Sequence, residues 1–422
     1  MTTHDRSAST HTFAGHWRGW PPLAAWTRWL AVGLLTLALG ACGGGNSDPG
    51  ADAGDPAAVP APAGAGDFKA AVWLNTLEPL DIANALQASG KNLQGVSPMH
   101  TVSNYRLEYM TTDADGQLVR ASGLVSVPLK TPGALSPVLG YQHATIFSDA
   151  EAPSNRAIPG ELAVALASMG FLVVAPDYVG YGVSKGTPHP YLLAAPSAAA
   201  VVDMHTAAQA WQKGAGIADN GQLFLVGYSE GAYATLAAHR AMAATNSVHL
   251  RRLQSSITGA GPYNVQTTLD GVLRTVRDEE PLLGALLNPG LLRYLGSSVR
   301  NDVRRAILRQ LVPESSDIVL DARFLDPYLS DDEYLVNRQS NVHNWLPAQP
   351  VSLYHGKDDR TVTYGSSLST LQAMQAQGAG TMVSLTECTA IPSDHGACLL
   401  PFVTFMVNRI HGAPAPTSPR PM

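Results

Sequence analysis

The stretch QLFLVGYSEGAYATLAAHRAMAA, residues 222–244, decides how this chain is read. Leu223, Phe224, Leu225 and Val226 form a short continuous apolar run, the pattern of a strand buried on both faces. From Glu230 onward Ala and Leu dominate and no proline interrupts, so a helix follows. Between the two elements Gly227 and Gly231 flank Ser229. A strand that turns this abruptly into a helix leaves no room for side chains beside the turn, and two glycines supply that room. The helix N-terminus behind the turn favours negative charge near the serine. Ser229 is a candidate nucleophile.

The pattern G-x-S-x-G occurs a second time, as GVSKG at 182–186. It follows PDYVGYG, a glycine-rich loop, and precedes Thr187, Pro188, His189 and Pro190. Two prolines so close forbid a helix there. Ser184 is read as a loop serine, and strand and helix context assigns the nucleophile to Ser229.

Short apolar strands alternate with helices over much of the chain. Strands are expected at 137–141 (PVLGY), 171–175 (FLVVA), 222–226, 253–258, 351–355 (VSLYH) and 382–385, and helices at 160–168, 196–213, 230–244 and 366–376. A hairpin is expected from 105–110 and 118–128 around Asp113, Ala114, Asp115 and Gly116. Residues 67–88 read as helix leading into the fold. The alternation indicates an α/β fold, a mostly parallel sheet covered on both faces. It breaks at 265–346, where helical segments and apolar clusters such as PLLGALL at 281–287 show no convincing strand. That region, much longer than an ordinary crossover, reads as a helical cap over the C-terminal edge of the sheet.

The start of the chain reads as a targeting segment. Arg18 and Arg28 precede the apolar run WLAVGLLTLAL at 29–39, too short to span a bilayer. Leu39, Gly40, Ala41 and Cys42 resemble the lipobox of bacterial lipoproteins, which implies a signal peptide over 1–41 and lipidation of Cys42. Residues 42–66, nearly all Gly, Ala, Pro, Ser, Asn and Asp, read as a disordered tether, and 412–422 as a disordered tail. The domain proper is expected over 67–411. The expected location is an exported, membrane-anchored lipoprotein of the outer membrane. The 422 residues carry a net charge of −6 with 14% charged side chains, which argues against a nucleic-acid partner. Neither H-E-x-x-H nor C-x-x-C occurs, and no metal or organic cofactor is expected.

A serine needs a histidine to take its proton and a carboxylate to orient that histidine, and after a nucleophile turn of this kind the order is serine, acid, histidine. Residues 351–362 offer a strand that ends on Asp358 and Asp359. Two histidines follow. His411 adjoins the Pro-rich end, whereas His395 sits in the loop IPSDHGAC after the last expected strand, so His395 is the candidate base. Cys388 and Cys398 bracket that loop, and with Cys42 lipidated they form an even pair suited to a disulfide. An oxyanion site needs two backbone N–H groups. One is expected from Glu230, the other from the turn after the 137–141 strand, at His143 or Ala144.

Together YQHAT at 141–145, PDYVGYG at 176–182, HPY at 189–191, GYSEG at 227–231 and HGKDD at 355–359 resemble the secretory-lipase branch of the α/β-hydrolases, with its fungal lipase A-like enzymes and bacterial lipoprotein relatives. The resemblance spans about residues 100–410. Similarity to the H-G-x-x-D-x-x-V segment of these hydrolases puts the acid at Asp359 rather than Asp358. It implies hydrolysis of carboxylic esters of small-molecule or lipid type, with the cap shaping an acyl pocket. Ala144 departs from a common glycine, and Thr363 from a common proline. The same triad serves amide, peptide or polyester cleavage, and a binding lipoprotein with this fold is a further alternative.

Overall fold

The computed structural model describes residues 61–90, 95–279, 294 and 296–412. The expected signal segment, Cys42, the tether up to residue 60, residues 280–293 and 295 of the expected cap, and the tail from 413 lie outside the described residues. Residues 61–66, read from sequence as the end of the tether, include a turn whose Gly66 N–H donates to Met110 O at 2.8 Å.

Among the described residues nine strands form one sheet in the order β1-β2-β3-β5-β4-β6-β7-β8-β9. The hairpin strands β2 (Val102–Thr112) and β3 (Leu118–Pro128) pair antiparallel on either side of Asp113–Gly116, and β1 (Phe68–Leu77) adds an antiparallel edge. Beyond them β5 (Leu172–Pro176), β4 (Ser136–Gln142), β6 (Asp219–Tyr228), β7 (Leu253–Gly259), β8 (Val351–His355) and β9 (Val383–Glu387) run parallel to one another.

Side chains of successive strand residues go to opposite faces, which is how one sheet feeds two cores. Leu124, Leu139, Val173 and Phe224 bury themselves with α2 (Leu162–Ser168) and α10 (Leu399–His411). Their neighbours Val125, Val138, Val174 and Leu225 join the core under α3 (Ala194–Ala215) and α4 (Glu230–Ala244). The near-continuous apolar runs of β5 and β6 are the sequence consequence of that double burial.

Two elements depart from expectation. The stretch 67–88 is not one helix: Phe68–Leu77 is a strand, and α1 occupies only Pro79–Ala88. The Ala and Leu content of the first half favours helix locally, but its backbone pairs along β2, and tertiary pairing outweighs so weak a preference. As an edge strand it leaves Val72 and Trp73 exposed, which erases the alternation that would have marked it. Pro79 at the first helical position is the signal for the true start. The second departure is α10, which adjoins the Pro-rich end and was not anticipated. It buries Phe402, Val403, Met406, Val407 and Ile410, spaced to fall on one helical face.

Between β7 and β8 the described residues of 265–346 form α5 (Val265–Glu279), α6 (Ser297–Leu311), a 3₁₀ turn at Ala322–Phe324, α7 (Leu325–Leu329) and α8 (Glu333–Gln339). Among the described residues this stretch contributes no strand to the sheet, only a single parallel bridge from Leu320 to His189. Its apolar residues Leu269, Leu273, Phe324, Tyr328 and Val336 pack in one core with Ala232, Tyr233 and Leu236 of α4. The last crossover helix, α9, is Tyr364–Ala376.

Phe402 docks α10 between Tyr228 and Tyr354, with ring centroids 5.3 and 6.0 Å away. Phe402→Ala is expected to lower the free energy of unfolding in urea by about 3–5 kcal/mol, the range for emptying a buried aromatic site.

Candidate active site

Parallel neighbours β4, β6, β8 and β9 end on the same edge of the sheet, so the loops that leave their C-terminal ends converge there. Ser229 directly follows β6, and α4 begins at Glu230. The backbone of Ser229 is left-handed, φ 57° and ψ −124°, a strained conformation for a residue with a Cβ. Both flanking glycines are required by contact. A Cβ on Gly227 would overlap the carbonyl of Gly231, and a Cβ on Gly231 would overlap the carbonyl of Gln142. The turn after β4 therefore lies directly against the serine turn. Ser229 N–H donates to Gly259 O at 2.8 Å, which ties the turn to β7 as well.

His395 Nε2 lies 3.0 Å from Ser229 Oγ, and His395 Nδ1 lies 2.6 Å from Asp359 Oδ2. A carboxylate only accepts, so Nδ1 carries the hydrogen and Nε2 turns its lone pair to the serine hydroxyl. Asp359 is buried, with Oδ1 accepting from the N–H groups of Thr361 and Val362 at 2.9 Å each. Its Oδ2 also faces His355 Nε2 at 3.1 Å. Burial pushes this carboxyl up, but hydrogen bonds from His355 and His395, with their charge, outweigh it and hold the group at about 2. Asp358, the other acid of the turn, faces elsewhere: its Oδ2 accepts from Ser393 N–H and Oγ, both at 2.9 Å.

The loop that carries His395 is held at several points. Cys388 and Cys398 form a disulfide across it, Asp358 binds Ser393, and Tyr228 donates its hydroxyl to His395 O at 2.7 Å. His355 and Tyr228 belong to the HGKDD and GYSEG segments, but the sequence assigned neither an individual role. The spacing of four residues between His355 and Asp359 was the available signal for the first; nothing local marked the second.

His143 and Ala144, the alternatives for one expected oxyanion donor, lie in the turn after β4, and the other expected donor, Glu230, opens α4. As the first residue of a helix Glu230 has no intrahelical acceptor for its N–H. The His143 ring is buried, with Nδ1 2.7 Å from Ala144 O and Nε2 3.2 Å from Asp177 O, and burial pushes the imidazole below its ordinary value. Tyr178 donates its hydroxyl to His143 O at 3.2 Å. Asp177 holds the neighbouring loop through Ser154 N–H and Oγ and through Ser122 Oγ, with burial pushing its carboxyl up. The side chain of Glu230 is buried and meets His189 Nε2 at 2.6 Å. Ser184, the other G-x-S-x-G serine, is buried within its own loop, where its Oγ donates to Tyr181 O at 2.8 Å and accepts from Gly180 N–H at 3.0 Å. A three-residue 3₁₀ turn, Gly182–Ser184, is all the helix that motif contains.

The fold recurs in solved esterase and lipase structures of low sequence identity. The rice cell wall degrading esterase LipA from Xanthomonas oryzae superposes with a TM-score of 0.62 at 20% identity, over 82% of this chain and 98% of that one. Candida antarctica lipase A superposes with a TM-score of 0.53 at 16% identity, over 84% of each chain. The fold is that of the α/β-hydrolases. Residues 160–288 of this chain match the family described as secretory lipase, a span that contains the HPY and GYSEG segments. Comparison of the sequence with those of curated proteins finds no match. Among the described residues no group of three or more His, Cys, Asp or Glu side chains could hold a metal ion, and no helix is long and apolar enough to cross a membrane.

Asp359 is lower in the folded chain than the ~3.9 of a free aspartate. A depressed carboxyl adds stability that is present above the unfolded value and lost as pH falls toward the folded one. Between pH 5 and pH 2, urea titrations should show the wild-type protein losing about 2 kcal/mol more than Asp359→Asn does.

Proposed function

We propose that this protein is a serine carboxylic-ester hydrolase in which Ser229, His395 and Asp359 act as the catalytic triad. The observation that carries the proposal is the unbroken chain from Ser229 Oγ through His395, 3.0 Å and 2.6 Å per link, to a carboxylate held at about 2. Asp359 stays ionised and keeps the imidazole in the tautomer that can take a proton.

Ser229 Oγ attacks the ester carbonyl as its proton passes to His395 Nε2. The tetrahedral oxyanion accepts hydrogen bonds from the N–H of Glu230 and from that of His143 or Ala144. His395 returns the proton to the departing alcohol, leaving Ser229 acylated. Water then attacks the acyl-enzyme, again through His395, and the acid leaves. No step as written calls on a metal or organic cofactor. Ester substrates are favoured over amides by the secretory-lipase match at 160–288 and by the esterase and lipase among the similar folds. The helical insertion between β7 and β8 would form the cap that shapes the acyl pocket. The signal pattern at 18–42 and the Cys388–Cys398 disulfide, a bond of oxidising compartments, support an exported lipoprotein anchored through Cys42 in the outer membrane.

A fluorophosphonate probe should label Ser229 and no other serine, read by mass spectrometry, and Ser229→Ala should lose at least about a thousandfold in kcat/KM on p-nitrophenyl esters. Label on Ser184, or none on folded protein, overturns the proposal; faster turnover of peptide amides would move it to a peptidase. For the anchor, Cys42→Ala should abolish incorporation of labelled palmitate in cells and release the protein from the membrane fraction.

A further inference from the structure

The triad leaves His189 without a part. This residue is 2% exposed, and both its ring and its main chain are fully engaged. Its Nδ1 lies 2.8 Å from Val179 O and therefore carries a hydrogen, because a carbonyl only accepts. Its main-chain N–H donates to Val319 O at 2.8 Å, and its carbonyl accepts from Asp321 N–H at 2.7 Å. Tyr181 meets the ring edge-on at a centroid distance of 5.0 Å, and Tyr178 stacks at 6.0 Å. The approach is close enough that Gly180, at φ 101°, could carry no Cβ without meeting His189 Cβ at 2.8 Å.

What the ring holds is Glu230, the residue directly after Ser229. The contact from His189 Nε2 to Glu230 Oε1 is 2.6 Å, and Glu230 Oε2 has no hydrogen-bond partner among the described residues. Glu230 is 4% exposed, and among the described residues His189 supplies the sole hydrogen bond to its carboxylate. Two atoms that each present a lone pair approach this closely only with a proton between them. The pair therefore has no net charge, whichever partner bears that proton. Without the imidazole, a buried carboxylate would stand unpaired beside the position where the oxyanion develops, and nothing would hold the side chain of the residue that donates to it.

We propose that His189 is a positioning residue for the reaction. It fixes Glu230 so that the Glu230 N–H stays aimed at the oxyanion, it neutralises the carboxylate next to that charge, and it ties this donor to the segment 319–321 of the insertion. The inference rests on the serine-hydrolase reading above. The hydrogen bonds of His189 go to Val179, Glu230, Val319, Asp321 and Tyr191, and none of them reaches Ser229 or His395.

The test uses the full-length protein and p-nitrophenyl butyrate, after wild-type hydrolysis and fluorophosphonate labelling of Ser229 have been measured. His189→Phe should lower kcat about 30-fold or more while KM changes by less than about threefold, because the lost stabilisation belongs to the transition state. The double variant His189→Phe/Glu230→Gln should regain about tenfold of that loss, since the unpaired carboxylate is gone; a purely structural defect would be deepened, not relieved. Circular dichroism and urea unfolding report folding, and His189→Gln carries the same kcat test where the Phe variant does not fold. A kcat within threefold of wild type in the folded His189 variant, or no relief in the double variant, overturns this proposal alone. A wild-type protein that neither hydrolyses the ester nor takes label on Ser229 overturns the hydrolase reading, and this inference with it.

Discussion

The left-handed backbone of Ser229 is the constraint on which the remainder of the site depends. A φ of 57° costs a residue with a Cβ about 1–3 kcal/mol, and it persists only because the surroundings leave no alternative. Gly227 and Gly231 let two backbones pass within contact, the turn after β4 packs against Gly231, and Gly259 O receives the Ser229 N–H. The strain turns the hydroxyl out past the edge of the sheet. There it can meet a histidine that comes from two strands beyond β7.

That meeting depends on how firmly the histidine loop is held. The loop after β9 adds no strand to the sheet among the described residues. It is pinned by the Cys388–Cys398 disulfide, by Asp358 on Ser393, by Tyr228 on the carbonyl of His395, and by Asp359 on the imidazole. Asp359 is in turn fixed by two backbone N–H groups and by His355, whose Nδ1 faces Ser367 Oγ at 2.7 Å. A carboxylate with four donors around it cannot rotate, so the imidazole it orients arrives in one tautomer and one position. In the proposed reaction, preorganisation of this kind would let a weak nucleophile act without reorganising the site.

Much of this was legible before any coordinates. The parallel strands read as apolar runs because both faces are covered, and β5, β6 and β8 fell where those runs are. Order along the chain, strand ends and resemblance to the α/β-hydrolases selected Ser229, Asp359 and His395, and the structure brings these three side chains into one hydrogen-bonded chain. The edge strand β1 was not legible. Its backbone pairing with β2 is a long-range contact, and its solvent-facing Val72 and Trp73 hide the alternation. The helix α10 is marked by the spacing of Phe402, Met406 and Ile410, but Pro401 and the prolines beyond its end read locally as helix breakers.

Local chemistry at the serine turn, and the strand–helix alternation around it, were determined by the sequence alone, because glycine, proline and apolar spacing act on the backbone within a few residues. Only the tertiary structure decided which polar groups share a partner. His355 and His395 reach the same oxygen of Asp359, Asp358 turns to Ser393, and Glu230 turns from solvent to His189, 41 residues earlier in the chain. Such pairings are set by where converging loops end, and by the need of each buried donor and acceptor for a partner. Both are properties of the packed chain rather than of any short segment of it.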